Sequence, residues 1–236
     1  MSLRAAAGSW LLEPAERTGE PGAVALAPPR QVIAVFGLAR GCGVTVVARA
    51  LAAELARRDS AESAAVHCDA CTGGIPLATP AAGELARMLA ELPGADARAL
   101  GRICLVGGAD CGAVSQAVRE LAPLVLDAGS SLLGGAPAAL ADRVLLVASP
   151  WVEPALAAVA ADCLGRLGHS PLLVLNRAVA GDERAGIWAP CGVHPLPESR
   201  MGAQLALGGR EARGKLGRSI GELADLCEVR AAPDWT

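Results

Sequence analysis

The sequence is poor in aromatic side chains: among its 236 residues there is no tyrosine, and Phe36 is the only phenylalanine. Alanine, glycine, arginine and proline are used heavily instead, a bias typical of a GC-rich genome, so the scarcity of aromatics excludes no class of function. Long apolar runs are also missing, since no uncharged stretch approaches the roughly 18 to 20 residues that a membrane helix needs. A signal peptide is not indicated either, because Glu13 and Glu16 interrupt the short apolar run near the N-terminus. We therefore expect a cytoplasmic protein with reduced thiols.

A strong excess of charge of one sign is absent as well. The formal net charge is −3, which argues against a dedicated nucleic-acid surface and against a polybasic membrane tether. Binding of DNA through a local patch is left as an alternative. The stretch 220–229 near the C-terminus is acidic and does not have the pattern of a basic amphipathic membrane anchor.

The eight cysteines do not indicate the disulfide framework of a short secreted chain. Cys68 and Cys71 form a C-x-x-C pair, which suits a redox pair or half of a metal site, but no second pair follows at metal-binding spacing. Small buried residues are therefore the favoured interpretation. The three histidines stand apart from carboxylates, and Ser130 and Ser131 lack a G-x-S-x-G context, so we expect neither type to be catalytic.

One domain accounts for most of the chain. Just over half of the residues are apolar, which suffices for one sizeable core and leaves no room for a second full domain. Residues 1–29 are rich in Ala, Gly, Pro and Glu and show no periodicity, which predicts a flexible N-terminal arm. Within it, Trp10 to Leu12 could form a short docking helix. We expect the domain to span residues 30–230 and a tail to follow over 231–236.

A strand, a glycine-rich turn and a helix follow one another without a gap in residues 31–59. Gln31–Gly37 is a continuous apolar run, typical of a strand covered on both faces in a parallel sheet. Thr45–Arg58 carries apolar residues four apart on one face, which predicts an amphipathic helix. This order builds a phosphate-binding loop at a helix N-terminus. The position where such a loop normally carries its lysine is Val44.

Short apolar runs alternate with helical patterns along the rest of the chain. This predicts an α/β domain with a mainly parallel sheet of six or seven strands and helices on both faces. Ligands bind such sheets at the carboxyl ends of the strands. Further strands are predicted at Ala64–Cys68, Ile103–Val106, Leu124–Leu126, Arg143–Ala148 and Leu172–Leu175. Helices are predicted near 81–91, 95–100, 113–121 and 153–167, with a short one from Ser199 and a last one that a capping box of Ser219 and Glu222 opens.

The helix predicted at 153–167 carries a stripe of apolar residues. Leu156, Val159 with Ala160, Cys163 and Leu167 recur at helical spacing, and the helix is expected to stop at the following glycine. We expect this stripe, Cys163 included, to face the core.

The motifs resemble, in order, those of the ParA/MinD group of deviant Walker A P-loop ATPases, whose loop reads K-G-G-x-G-K-T-T. Aligned on its glycines, this chain reads A-R-G-C-G-V-T-V from Ala39 to Val46, so two glycines and the threonine remain while both lysines are replaced. The resemblance covers nearly all of residues 31–227 and implies the P-loop NTPase architecture. It implies contacts to ATP or ADP from Arg40, Gly41, Cys42, Gly43, Val44, Thr45, Val46, Asn176, Arg177 and Pro197.

Other landmarks of the group are matched further along the chain. Asp69 stands in the acidic loop after the second strand, which implies a catalytic role, although the second acidic position there is Cys71. Asp127 stands at the Walker B position, so Thr45 and Asp127 are the implied magnesium ligands. Asn176 and Arg177 match the pair that contacts adenine in the group, and Leu196–Ser199 resembles its later I-P-x-D segment.

The two missing lysines weaken the catalytic part of the resemblance. A P-loop lysine makes charge-assisted hydrogen bonds to the β and γ phosphates, worth roughly 1.5 to 3 kcal/mol each. Val44 cannot make them, so nucleotide affinity is expected to fall by about tenfold to a hundredfold. The lysine missing at Ala39 would reach across a nucleotide-bound dimer, and losing it is expected to cost on the order of a hundredfold in rate.

The first hypothesis is a pseudo-ATPase that acts as a localisation or assembly scaffold for a pilus, secretion, septum or partitioning apparatus. Within the group, the altered loop is similar to that of TadZ/CpaE-like localisation proteins. Its implied partners are proteins of such a machine and a second copy of the chain in a homodimer. The first alternative is a working ATPase that uses Arg40 for the phosphates. The second is a protein of the same fold that binds another anionic ligand.

Overall fold

The computed structural model describes residues 30–59, 64–68, 83–130 and 135–228. The predicted N-terminal arm, the C-terminal tail, Asp69, Cys71 and Ser131 lie outside the described residues. None of the helices in the described ranges is long and apolar enough to cross a membrane.

An eight-stranded sheet forms the centre of the molecule. Its order is β3-β4-β2-β5-β1-β6-β7-β8, and all neighbouring strands are parallel except β3 and β4. The prediction of a mainly parallel α/β sheet is confirmed. The strands are β1 (Val32–Gly37), β2 (Ala64–Cys68), β3 (Asp96–Leu100), β4 (Ile103–Gly107), β5 (Leu124–Asp127), β6 (Arg143–Ala148), β7 (Leu172–Ala178) and β8 (His194–Pro197).

Helices cover both faces of the sheet. They are α1 (Val44–Arg58), α2 (Glu84–Ala90), α3 (Cys111–Val118), α4 (Ala136–Leu140), α5 (Pro154–Gly165), α6 (Glu183–Gly186), α7 (Arg200–Leu207) and α8 (Gly214–Cys227). On one face α1, α7 and α8 pack in a shared core, and on the other α2, α3, α4 and α5 do so. The side chains of β1 alternate between the two cores, with Ile33 in the first and Phe36 in the second. A strand buried on both faces is therefore apolar throughout.

The segment predicted as a helix near residues 95–100 is a strand instead. Asp96–Leu100 pairs antiparallel with β4 and forms one edge of the sheet. Its alanines and Arg98 favour helix by propensity, but pairing with β4 satisfies the backbone of a segment too short for a stable helix. Arg98 also bonds Asp96, two residues away on the same face of the strand.

Most of the apolar stripe predicted for this helix points away from the core, contrary to the prediction. Leu156, Val159 and Leu167 are 49%, 62% and 53% exposed, and Cys163 is only half-buried. Of the stripe only Ala160 is buried, and the buried side of α5 consists of Ala157, Ala160 and Leu164. Small side chains let the helix lie close to the sheet, so the larger residues occupy the outer face.

The predicted capping box at Ser219 is also wrong. Helix α8 begins at Gly214, five residues earlier, so Ser219 lies inside the helix. The short helix predicted from Ser199 is confirmed as α7, and Ser199 is its N-cap, because its hydroxyl accepts from the Gly202 N–H at 3.0 Å.

An ion-pair network fastens α1 to α8. The Arg58 guanidinium donates to Asp225 at 2.5 Å, to Glu228 at 3.0 Å and to the Gly221 carbonyl at 2.6 Å. It also bonds Glu54 on its own helix at 3.0 Å. The two longest helices of this face are therefore held together beside the strand that carries the phosphate loop.

Candidate functional site

The loop between β1 and α1 lies at the carboxyl edge of the sheet, between the ends of β5 and β6. The Gly37 N–H donates to the Gly129 carbonyl at 2.6 Å, just past β5, and the Leu38 N–H donates to the Val147 carbonyl of β6 at 3.0 Å. Gly41 has φ of 81° and Gly43 has φ of 88°, a left-handed conformation that glycine adopts without strain. Gly43 immediately precedes α1, so the loop presents the free amides of a helix N-terminus.

Asn176, near the carboxyl end of β7, holds this loop in place by a hydrogen bond. Its Nδ2 donates to the Cys42 carbonyl at 2.8 Å, and its Oδ1 accepts from the Arg177 N–H at 3.0 Å. A Cβ at Gly43 would stand 2.2 Å from the Asn176 Nδ2, so only glycine fits there. Behind the loop, the Cys42 thiol is 4.0 Å from the hydroxyl of Ser149. Asn176 was predicted to contact adenine, and both of its polar atoms serve the backbone in this structure.

The side chain of Val44, which the sequence resemblance aligns with a P-loop lysine, is buried. It is 7% exposed, belongs to the core under α1, and its Cγ2 lies 2.6 Å from where a Cβ of Gly37 would be. Ala39, at the other lysine position, packs against the same core. Arg40 and Gly41 form the exposed tip of the loop. The loop thus combines two glycines in the left-handed conformation with uncharged side chains at positions 39 and 44.

The predicted magnesium ligands Thr45 and Asp127 lie next to each other. The Thr45 hydroxyl is hydrogen-bonded to the Asp127 carboxylate, which also accepts from the Gly129 N–H at 3.2 Å. Burial raises the pKa of Asp127, while these two hydrogen bonds and the charge of Arg49 oppose the shift. One hydroxyl and one carboxylate fit magnesium, which keeps several waters and takes its other ligands from phosphates. In the described ranges, no group of three or more His, Cys, Asp or Glu could hold a metal by itself.

A small cavity beside the loop collects most of the other predicted nucleotide residues. Its volume is about 190 Å³. Arg177 has φ of 61°, the only positive value among the described residues other than glycine, and such conformations concentrate at ligand sites. The cavity lining includes Gly43, Val46, Asn176, Arg177, Pro197, Ser199 and Arg200.

Sequence reasoning missed two residues that shape the site. Ser149 directly follows β6 beneath the loop, and the rule that ligand sites lie at carboxyl ends of parallel strands was the signal that could have found it. Arg49 lies one turn after Thr45 on α1, where its Nη1 donates to the Leu207 carbonyl at 3.0 Å and its charge acts on Asp127. His67 is a core residue: it is 2% exposed, and its ring bonds the Ala109 carbonyl at 2.8 Å.

Comparison with solved structures finds the same architecture in several proteins. MinD from Aquifex aeolicus matches with a TM-score of 0.58 at 14% identity, over 86% of this chain and 98% of that chain, and its complex with MinC matches with a TM-score of 0.53. An ATP complex of McdA from Cyanothece matches with a TM-score of 0.57 at 14% identity, over 87% and 100% of the chains. Cobyrinic acid a,c-diamide synthase from Mycobacterium smegmatis, with an ATP analogue and magnesium, gives 0.55 at 12% identity, over 83% and 93%.

No protein-family model matches the sequence, and comparison with curated proteins also found no match. The structural likeness nevertheless extends over most of both chains in each case. The protein therefore has the P-loop NTPase fold, and within that class it has the ParA/MinD-like architecture.

Proposed function

We propose that this chain is a ParA/MinD-like pseudo-ATPase, which holds ATP or ADP loosely and serves as a scaffold for localisation or assembly. The observation that carries the proposal is the buried Val44 side chain at a position where the resemblance expects a lysine, in a loop whose glycines and helix N-terminus are in place. The backbone amides and the helix N-terminus still attract an anion. The charge that would hold the β and γ phosphates is missing.

The remaining residues have distinct roles in this proposal. The loop from Arg40 to Val46 surrounds the phosphates, Thr45 and Asp127 hold the magnesium ion, and Asn176, Arg177 and Pro197 border the base. When bound, magnesium would neutralise phosphate charge. Asp127 must then be ionised, which its burial disfavours and a nearby cation favours. Asp69, the expected catalytic residue, would then support no measurable hydrolysis. Magnesium and nucleotide are therefore expected to bind together.

Protein partners and a homodimer belong to the same proposal. One of the similar structures is a complex of MinD with MinC, which shows that this architecture presents a surface to another protein. Without strong nucleotide binding, we expect the dimer to form independently of ATP. Light scattering at high protein concentration tests this, and a monomeric mass with and without ATP would contradict it.

Calorimetric titration with ATP and ADP, each with and without magnesium, tests the proposal. We expect weak binding that strengthens with magnesium and is lost in Asp127→Asn. Tight binding of ATP by the unaltered protein would contradict the loose-binding account. Complete absence of heat at millimolar nucleotide would remove nucleotide from the proposal.

A second candidate function is a working ATPase that uses Arg40. The observation that favours it is the exposed position of Arg40 at the loop tip, where its side chain has no hydrogen-bond or ion-pair partner within the part of the chain that the structure describes. An arginine fork could bind phosphate, although not as the point charge of a lysine.

Arg40→Gln separates the two functions. In the working ATPase this change abolishes nucleotide binding, whereas in the pseudo-ATPase it has little effect. Arg210→Gln is the matched control, because Arg210 is also exposed and also lacks a side-chain partner among the described residues. Nucleotide binding that is unchanged in Arg40→Gln would remove the second candidate.

A further inference from the structure

A second, larger concavity lies at the β8 edge of the sheet, where the phosphate loop does not reach. Its volume is about 780 Å³, within the range of small-molecule sites. Helix α8 forms one wall and is fastened to the strand by His194, whose Nε2 bonds the Ser219 carbonyl at 2.8 Å. We call this concavity the edge groove, and it is lined by residues of β7, of the segment between β7 and β8, of β8, and of α8 as far as Glu222.

The two walls of the edge groove differ in chemistry. The wall from β7, β8 and the segment between them is apolar and includes Leu175, Val179, Ala185, Ala189, Val193 and Pro195. The α8 wall carries the charges, with Lys215, Arg218 and Glu222 on successive turns. Lys215 is the only lysine in the sequence. None of these three charged side chains has a hydrogen-bond or ion-pair partner within the described residues.

The charges of the α8 wall favour a ligand with one negative charge. Lys215 and Arg218 lie three residues apart and can approach one carboxylate together. Glu222 lies one turn beyond Arg218, so a dianionic phosphate would meet a repulsive charge there. Two cations and one anion leave a net charge of +1, which matches a monoanion.

The strand edge argues against an extended peptide as the occupant. Pro195 and Pro197 have no N–H, and prolines occupy edge strands with the missing N–H on the solvent side. The open side of β8 therefore lacks donors that an added strand would need. A flexible apolar chain needs no such donors and is stabilised by contact with the apolar wall alone.

We propose that the edge groove binds a free medium-chain fatty acid, with its carboxylate between Lys215 and Arg218 and its alkyl chain along the apolar wall. This site adjoins the cavity assigned to the base, since Pro197 lines both, but it goes beyond the proposed nucleotide function and needs no nucleotide. Trp188 lies directly behind the apolar wall: it is 1% exposed and packs with Leu175, Ala185 and Val193. Its fluorescence therefore reports on occupancy of the groove.

Titration of the full chain with decanoate, below its micelle concentration and without nucleotide, tests the proposal. We expect saturable binding at one site by calorimetry, with a matching change in tryptophan emission that Trp188→Phe removes. Each methylene added between hexanoate and decanoate is expected to tighten binding by about twofold to fourfold. The double variant Lys215→Gln/Arg218→Gln is expected to weaken binding by about tenfold or more. Arg210→Gln, an exposed arginine outside the groove, leaves it unchanged.

A steric variant and two further probes complete the test. Ala189→Phe fills the groove from an exposed position, so it is expected to block decanoate while leaving the thermal midpoint in place. Decanol and decylammonium have the same apolar chain and should bind more weakly than decanoate. The proposal is overturned by absence of saturable decanoate binding, by equal affinity for decanol, or by affinity that survives the double variant. Tighter binding of decyl phosphate would overturn the monoanion preference.

Discussion

Restoring a lysine at Val44 is expected to tighten ATP binding by about tenfold to 150-fold. A charge-assisted hydrogen bond to phosphate is worth roughly 1.5 to 3 kcal/mol, which corresponds to that range. The change also removes a valine that is only 7% exposed, and burying a valine side chain contributes at most about 1.5 to 3 kcal/mol of folding free energy. The methylene stem of lysine covers part of the same surface, so the net loss of stability is smaller. The bonds that anchor the loop at Gly37 and Leu38 come from the backbone and are unaffected.

Calorimetry with ATP and magnesium on Val44→Lys measures the gain. Val44→Met is the matched control, because methionine is unbranched and long like lysine but carries no charge. Circular dichroism confirms that both variants are folded. The reasoning is refuted if folded Val44→Lys binds ATP no better than the unaltered protein, or if Val44→Met gains as much.

Further predictions concern charges and thiols in the core. Burial raises the pKa of Asp127, so the ionised carboxylate destabilises the fold at any pH above the pKa that Asp127 has in the unfolded chain. Asp127→Asn should therefore raise the thermal midpoint at pH 7, and a lower thermal midpoint would contradict this. Arg58→Ala should lower the free energy of unfolding in urea by about 1 to 2 kcal/mol, because the side chain is 20% exposed and makes several hydrogen bonds. Arg57 is more exposed, so Arg57→Ala should lower the free energy of unfolding by less. Hydrogen bonds from Arg57, and to a lesser degree Arg58, lower the pKa of Glu54. The ionised Glu54 therefore stabilises the fold above about pH 4.5, and this stabilisation is lost as the pH falls through the pKa of Glu54 in the folded protein. Acid titration of Glu54→Gln should not show this loss of stability. Burial raises the pKa of Cys104 to about 12, so peptide mapping after iodoacetamide at pH 8 should find it unmodified until the protein unfolds.

The central part of the fold could be predicted from the sequence because its signals are local and continuous. The strand at Val32–Gly37 is a run of apolar residues between a proline-rich stretch and a glycine-rich turn, and the helix after it has regular periodicity. Glycines at 41 and 43 then fix where an anion would lie. These features do not depend on distant residues, so the loop and the strand ends that carry Asp127 and Asn176 were located correctly.

The errors occurred where tertiary contacts decide between alternatives that look equal along the chain. Asp96–Leu100 became a strand because β4 offered an edge to pair with, which no local pattern reveals. Helix α5 has apolar residues all round, so periodicity could not tell its buried alanine side from the outer side with Leu156 and Val159. The bracing of Cys42 by Asn176 depends on a contact between residues 134 positions apart.

Steady-state hydrolysis of ATP by the purified protein with magnesium tests the central claim most directly. If Val44 and Ala39 leave the phosphates without a positive charge, turnover should not exceed the rate of Asp127→Asn or of Asp69→Ala. Steady turnover in the unaltered protein that either change abolishes would contradict the pseudo-ATPase account.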